Sequence, residues 1–468
     1  MIQAMDQFII LYNARLKDCV QLFSLALLIR IIYVYFFVEA SYFLLEDQAL
    51  YIRLAQQFPE SGFLGVTPER VPGYPLFVFY IYTIFGESLW NVILMQIILD
   101  SISCIVIALM AKSLFNKGFW IAGILSAINL NMIILSATVL TDTLFLFLFV
   151  LFLFSLFQYL KNERIKWLFL LILFISLATL VRAVSYYLLP VLLIGLVFWR
   201  LWQRDSILKI GTLAVLCLTV IAVLLGGIHQ RNYQQYKSTA FVSQTGTAIL
   251  GWIVPATYQY SGQGSYQQGQ KLARERLVLA LQRDQLEELP TNPFENSSYR
   301  ANVGKDILFE FGFLNILRAW VTGSAINLFA PSVAFSPALR SMEHLSFYET
   351  KGNGIVEKLF NYIKNSSDFL YLFILAIGTI ISVIFIMLAL IGVFKMILIL
   401  PPIKVATILI LLGYFLIVTG PIVGVKYRLP IEPLLIMFVS YAILNWKNKI
   451  FHISNISQAH ATRSSNIC

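Results

Sequence analysis

Runs of about 20 consecutive apolar residues, the length a helix needs to cross the hydrocarbon core of a bilayer, recur along this 468-residue chain. Inside lipid every backbone N–H and C=O must be bonded within the protein, which leaves spanning helices or closed barrels. Barrels are written in short alternating segments, and none occurs in this sequence. The reading is an all-α polytopic membrane protein. Composition agrees, because only 12% of the residues are charged, about half the share of a soluble domain. About ten transmembrane helices (nine to twelve) are expected, near 22–43, 90–110, 119–137, 143–160, 167–181, 184–200, 207–228, 369–394, 404–421 and 431–446. The first run, 21–45, is too long for a signal-peptide core and is expected to remain as a span.

The basic residues are distributed unevenly between the connecting segments. Segments 1–20, 111–118, 161–166, 200–209, 395–404 and 447–468 together hold 15 Lys and Arg against four acidic residues. The remainder holds 19 basic and 20 acidic residues. By the positive-inside rule both termini are expected in the cytoplasm. The net charge of +10 is then a topology signal, and no nucleic-acid partner is called for. Cys19, Cys104, Cys217 and Cys468 are scattered singly, without metal-ligand spacing and without implying a disulfide.

The chain divides into an N-terminal transmembrane module, 1–228, an extracytoplasmic region, 229–368, C-terminal transmembrane helices, 369–447, and a cytoplasmic tail, 448–468. The N-terminal module carries an outer loop, 44–89. There Tyr51, Leu54, Ala55 and Phe58 follow the i, i+3, i+4, i+7 pattern of one helix face, and Asp47 stands where an N-cap would. Pro68, Pro72, Gly73 and Pro75 forbid a continuous helix, so the chain turns and re-enters through 76–85. In the large loop, 319–330 is apolar but too short to span and is expected against the membrane. The Gln-rich stretch 260–270 reads as a mobile loop or a substrate-ordered lid.

The charged residues of the outward-facing segments define the candidate site. Glu46, Asp47, Glu69 and Arg70 lie on the first loop. Asp142 lies in a Thr-Asp-Thr turn, Arg182 in another short turn, Arg231 after the seventh span, and Lys426, Tyr427 and Arg428 between the last two. Carboxylates and cations at one membrane depth suit a lipid-phosphate substrate and a hydroxyl acceptor. Each has a simpler reading as well. Asp47 and Asp142 read equally as helix caps, Glu69–Arg70 as an exposed pair of little value, and the arginines as side chains reaching for headgroups. His229 reads as a polar anchor or a partner of Glu69 on a metal. Arg30 and Asp100 fall at similar depth inside the first two spans. Isolated charges there are costly, so they are expected to pair and lock those spans.

Four stretches resemble the GT-C superfamily of membrane glycosyltransferases, in the bacterial branch related to protein O-mannosyltransferases and lipid A aminoarabinose transferases. "DQALYIRLA" is similar to the family's outer-loop pattern of Asp, then Tyr four residues on, then Ala. "ERVPGYPLF" resembles its acidic-basic, proline-rich segment, with Val71 where a proline often stands. "RNYQQYKSTAFVSQTGTAILGW" resembles the segment after the seventh span, and "KYRLPIEPLL" the last-span motif, with Lys426 in place of Arg. The resemblance covers roughly residues 20–445.

It implies a GT-C-like fold and an inverting glycosyltransferase that moves a sugar from a polyprenyl-phosphate donor to an extracytoplasmic glycan, lipid or protein. The setting would be a bacterial inner membrane. On that reading Asp47 is the general base and Asp142 a second acidic group. Tyr51, Glu69, Arg70, Tyr74, Arg182, Arg231, Lys426, Tyr427 and Arg428 would bind substrate, with membrane lipids as neighbours. No cofactor is assigned, and a divalent cation at Glu69 stays open. The alternatives are a ligase or polymerase using a polyprenyl-diphosphate donor, or a flippase for lipid-linked sugars.

Overall fold

The structure, a computed structural model, describes residues 2–41, 47–62, 67–342, 350, 355–366, 368–398 and 400–446. Glu46 and the tail after 446 lie outside them. The described residues form helices, short helical turns and loops, with no strand. Among them, eight helices are long and apolar enough to cross a membrane. They are Leu16–Phe37, Leu89–Phe115, Thr141–Asn162, Ala183–Trp202, Ile207–Tyr236, Phe369–Ile397, Pro402–Thr419 and Val425–Leu444.

Two of the ten expected spans differ in kind. The stretch expected as 119–137 is two helices, Phe119–Ala127 and Leu130–Ser136, bent by 51° at the break, and counts as a ninth span if taken as one. The stretch near 167–181 is an apolar helix of 17 residues, Ile165–Val181. The seventh helix runs on to Tyr236, past the boundary expected at 228. In the large loop, Ser265 and Gln268 form a capping box that starts the helix Tyr266–Arg283, so half of the stretch read as mobile is a helix N-terminus.

The break at Ile128 and Asn129 occurs without proline or glycine, and neighbouring helices satisfy the backbone it frees. Asn129 caps the second half by accepting from the Met132 N–H at 3.0 Å. Arg30 serves the first half: its Nη1 donates to the Ala127 carbonyl at 3.1 Å. Its Nε donates to Asp100 at 2.6 Å, with both side chains buried. The expected Arg30–Asp100 lock is therefore present and holds three helices, not two. Lone charges at this depth would be costly, and each makes the other tolerable.

Glycines bring helices together where backbones approach closely. A Cβ on Gly392 would lie 2.0 Å from the Phe438 carbonyl oxygen, which ties Phe369–Ile397 to the last helix. A Cβ on Gly73 would lie 2.5 Å from the Leu180 carbonyl oxygen. That contact presses the proline-rich turn of the first loop against the end of Ile165–Val181, two residues before Arg182.

Candidate functional site

The site is assembled at one end of the bundle. After the proline-rich turn, the helix Gly73–Phe85 starts with Pro72 as its N-cap and Pro75 in its first turn, where a missing N–H costs no helical bond. The turn holds Arg70 beside the helix Asp47–Gln56. Arg70 Nη2 donates to Asp47 Oδ1 at 3.4 Å. Asp47 stands in the first turn of that helix, with its side chain 48% exposed and that of Arg70 17% exposed.

A second ion pair lies nearby. The helix Ile165–Val181 ends at Arg182, whose backbone is extended. The Arg182 Nη1 donates to Asp142, which lies in the first turn of Thr141–Asn162. A carboxylate there is also favoured by the helix dipole. The capping reading of Asp142 fails, because the N-cap position is Leu140 and no side chain caps the helix. Asp142 is buried, whereas Arg182 is 18% exposed.

Tyr51 joins the pairs. Its phenol lies within electrostatic reach of Arg70, Arg182, Asp47 and Asp142. Burial pushes its pKa above the ordinary phenol value, and the two arginines oppose that rise, so Tyr51 is a neutral hydrogen-bonding group at working pH. The Tyr51 ring meets Tyr74 edge to face, with centroids 5.2 Å apart. Tyr74 in turn donates to Gln96 Oε1 at 2.6 Å.

Two glutamines fix this assembly, and the sequence reading missed both. Gln96 donates to the Ser136 and Thr138 carbonyls at 3.0 and 2.7 Å. Gln48 accepts the Val139 N–H at 2.8 Å. Together they clamp the first loop onto the turn that launches Asp142. Gln96 did leave a signal, since a polar side chain within an apolar span needs a partner. Gln48 left none beyond its place beside Asp47.

A search of curated proteins finds no match in sequence. Residues 68–225 match the model of the family described as dolichyl-phosphate-mannose-protein mannosyltransferase. The solved structure of archaeal oligosaccharyltransferase AglB from Archaeoglobus fulgidus, in complex with an inhibitory peptide and a dolichol-phosphate, is similar over 95% of this chain, with a TM-score of 0.50 and 13% identity. The fold is GT-C. The match covers 52% of AglB, so this chain spans about half the length of that relative. ArnT from Cupriavidus metallidurans is a more distant likeness at 11% identity. Its apo structure gives a TM-score of 0.35 over 84% of this chain and 71% of ArnT. Its structure bound to undecaprenyl phosphate gives 0.39 over 91% and 76%.

Within this GT-C fold the other expected site residues are placed less uniformly. Tyr427 lies within electrostatic reach of Arg182, and Lys426 sits 5.7 Å over the Tyr427 ring. Arg428, expected at the donor phosphate, has all three nitrogens engaged within the chain. Its Nε donates to Glu432 at 2.7 Å, Nη1 to the Leu328 and Ala330 carbonyls and Ser382, and Nη2 to Ser332. Glu432 is fully buried and also accepts from Asn129 and Asn131 at 3.1 Å. Arg428 thus holds the turn to the bend in 119–136, which the motif alone did not reveal.

Arg231 is buried on Ile207–Tyr236, and its Nε donates to Asn232 at 2.9 Å. His229 uses both ring nitrogens, toward Tyr186 at 3.2 Å and the Thr239 carbonyl at 3.0 Å, as the anchor reading has it. Glu69 is exposed next to Arg70. Among the described residues no three His, Cys, Asp or Glu side chains gather as a metal site.

At this site two arginines keep donors free of partners among the described residues. Arg70 has its Nε buried without a hydrogen bond. Arg182 has Asp142 as its hydrogen-bond partner among the described residues, through Nη1. A planar guanidinium with unused N–H groups is suited to two oxygens of one phosphate.

Proposed function

We propose that this chain is an inverting glycosyltransferase that moves a sugar from a polyprenyl-phosphate donor to a hydroxyl acceptor. The observation that carries the reading is the convergence of Asp47, Tyr51, Arg70, Asp142 and Arg182 from separate stretches onto one end of the bundle. The GT-C fold and the match of 68–225 to a mannosyltransferase family support it.

In the proposed reaction the half-exposed Asp47 carboxylate takes the proton of the acceptor hydroxyl. The acceptor oxygen forms a bond to the anomeric carbon from the face opposite the leaving group. The bond from that carbon to the phosphate oxygen breaks, and the electron pair leaves with the lipid phosphate. Arg70 and Arg182, with donors unused by the protein, stabilise that charge as it develops. Asp142 acts by holding Arg182 in place, a positioning role. Tyr51 and Tyr427 border the same space. Arg428 and Arg231 are left out of substrate contact.

The proposed setting is a bacterial plasma membrane, with both termini in the cytoplasm and the Asp47 end outside. The charge asymmetry of the loops supports that orientation. The test is sugar transfer by purified protein in detergent, where flipping has no meaning, comparing wild type with Asp47→Asn. Transfer retained by Asp47→Asn removes Asp47 as base. Absence of any transfer by wild type from polyprenyl-phosphate sugars favours the flippase.

A further inference from the structure

A cleft lies on the helices of the large loop. It encloses about 180 Å³ and is lined by Thr247, Leu250, Gly251, Pro255, Gln270, Ala273, Arg274, Leu277 and Arg300. Arg274 and Arg300 are its charged residues, and no acidic residue lines it.

The cleft is held open by a rigid frame. Its floor is a single π-helical turn, Ile249–Ile253, a feature found often at functional sites. Gly304 lets its helix press onto that turn, and Gly269 lets the other press onto the helix Val254–Tyr260 that follows it. A Cβ on Gly269 would lie 2.7 Å from the Pro255 Cα, and one on Gly304 2.7 Å from Ile249 Cγ2. Gly251 has open space where its Cβ would point.

The two cations are not neutralised from within. Arg300 on Pro293–Phe311 donates through Nε to Asn296 at 2.8 Å, which aims the guanidinium and leaves both terminal nitrogens free. Arg274 on Tyr266–Arg283 has no hydrogen bond or ion pair among the described residues. The acids of the adjoining turns are engaged elsewhere, Glu275 with Lys271 and Glu310 with Arg276. Arg274 is exposed and Arg300 half-buried, and two guanidinium groups with no acidic partner among the described residues, beside apolar walls, suit a planar or tetrahedral oxyanion.

The cleft is joined to the candidate site by a short tether. The Ser243 N–H donates to the Pro68 carbonyl at 2.9 Å, two residues before Arg70. From Ser243 to Thr247 at the cleft edge is four residues, at most about 15 Å of chain. We infer that the Arg274–Arg300 cleft is an acceptor subsite that binds an anionic group, a phosphate or a carboxylate, carried on a sugar near the hydroxyl that is glycosylated. This inference rests on the glycosyl-transfer reading for its role, while the binding itself does not.

The test is calorimetric titration of the full-length protein in detergent with glucose 6-phosphate, glucuronate and neutral glucose. Wild type is expected to bind one or both charged sugars and to bind glucose at least tenfold more weakly. A phosphate acceptor is indicated if glucose 6-phosphate binds, and a uronic acid if glucuronate does. Arg274→Gln with Arg300→Gln is expected to lower that affinity at least tenfold. Arg274→Lys with Arg300→Lys should restore most of it, and Lys271→Gln outside the cleft should leave it unchanged. Asp47→Asn should bind as wild type does, which separates this inference from the fate of the proposed reaction. Equal binding of glucose, no binding of either charged sugar by wild type, or an undiminished affinity in the double Gln variant overturns it.

Discussion

The helix Thr141–Asn162 has an arginine at each end, and the two ends are built differently. At its far end Arg200 is 3% exposed, and each of its nitrogens has a partner in the chain. Nε and Nη2 donate to the Tyr159 hydroxyl, and Nη1 to Glu163 at 2.8 Å and Asp205 at 3.2 Å. Its guanidinium also lies 4.6 Å from the Trp199 ring centroid. At the near end Arg182 donates to Asp142 through one nitrogen and is 18% exposed. A saturated guanidinium cannot add a ligand without losing a bond, whereas one with unused donors can take a ligand without breaking a contact of the fold. Degree of saturation therefore sorts the arginines. Arg30, Arg200 and Arg428 hold the fold, and Arg70 and Arg182 are the pair proposed to meet substrate.

The largest effect that would break this division is at the proposed base beside Arg70. Asp47→Asn should reduce sugar transfer by roughly 10²–10⁴-fold at an unchanged level of protein in the membrane. Retained activity removes the carboxylate from the chemistry. Arg70→Gln should lower transfer by roughly 10²–10³-fold with little change in the melting temperature, read by thermal unfolding in detergent, because its partner Asp47 is half exposed and keeps its hydration. A large loss of stability with normal turnover would place Arg70 with the structural group.

Arg428→Gln should do the reverse. It leaves the buried Glu432 uncompensated, at a cost of about 3–5 kcal/mol. Folded yield should fall while donor affinity in the surviving protein stays at the wild-type value. A weakened donor affinity in folded Arg428→Gln would return this arginine to the site, as its motif suggested. The smallest effect is expected at the clamp. Gln48→Ala leaves the buried Val139 N–H without its acceptor, a loss of about 1–3 kcal/mol. It should loosen Asp142 relative to Asp47 and lower kcat more than it raises KM. An effect on stability alone would limit Gln48 to the fold.

Part of the candidate site was legible from residues alone. Asp47, Arg70 and Asp142 could be picked out because charges flanking apolar runs are few, and each must be near an interface or paired. The Arg30–Asp100 pair followed from depth, since two buried charges on adjacent spans have nowhere else to turn. Its third partner did not follow, because the bend after Ala127 comes from no proline or glycine. Arg428 looked like Arg70 in sequence, and only its carbonyl partners on 328–332 and Ser382 separate them. Those partners lie 46 and about 100 residues away, beyond any local pattern.

The sequence by itself determined that this chain crosses a membrane many times, along which stretches, and with which loops bearing the basic excess. Hydropathy and loop charge act locally, so they are readable residue by residue. Only the tertiary structure decided which carboxylate meets which cation and which arginine keeps donors free. Those outcomes depend on helix bends, on glycine-mediated contacts such as Gly73 against Leu180, and on carbonyls delivered from distant turns. A hydrogen bond is short-ranged in space and indifferent to separation along the chain, so it is settled when the helices pack.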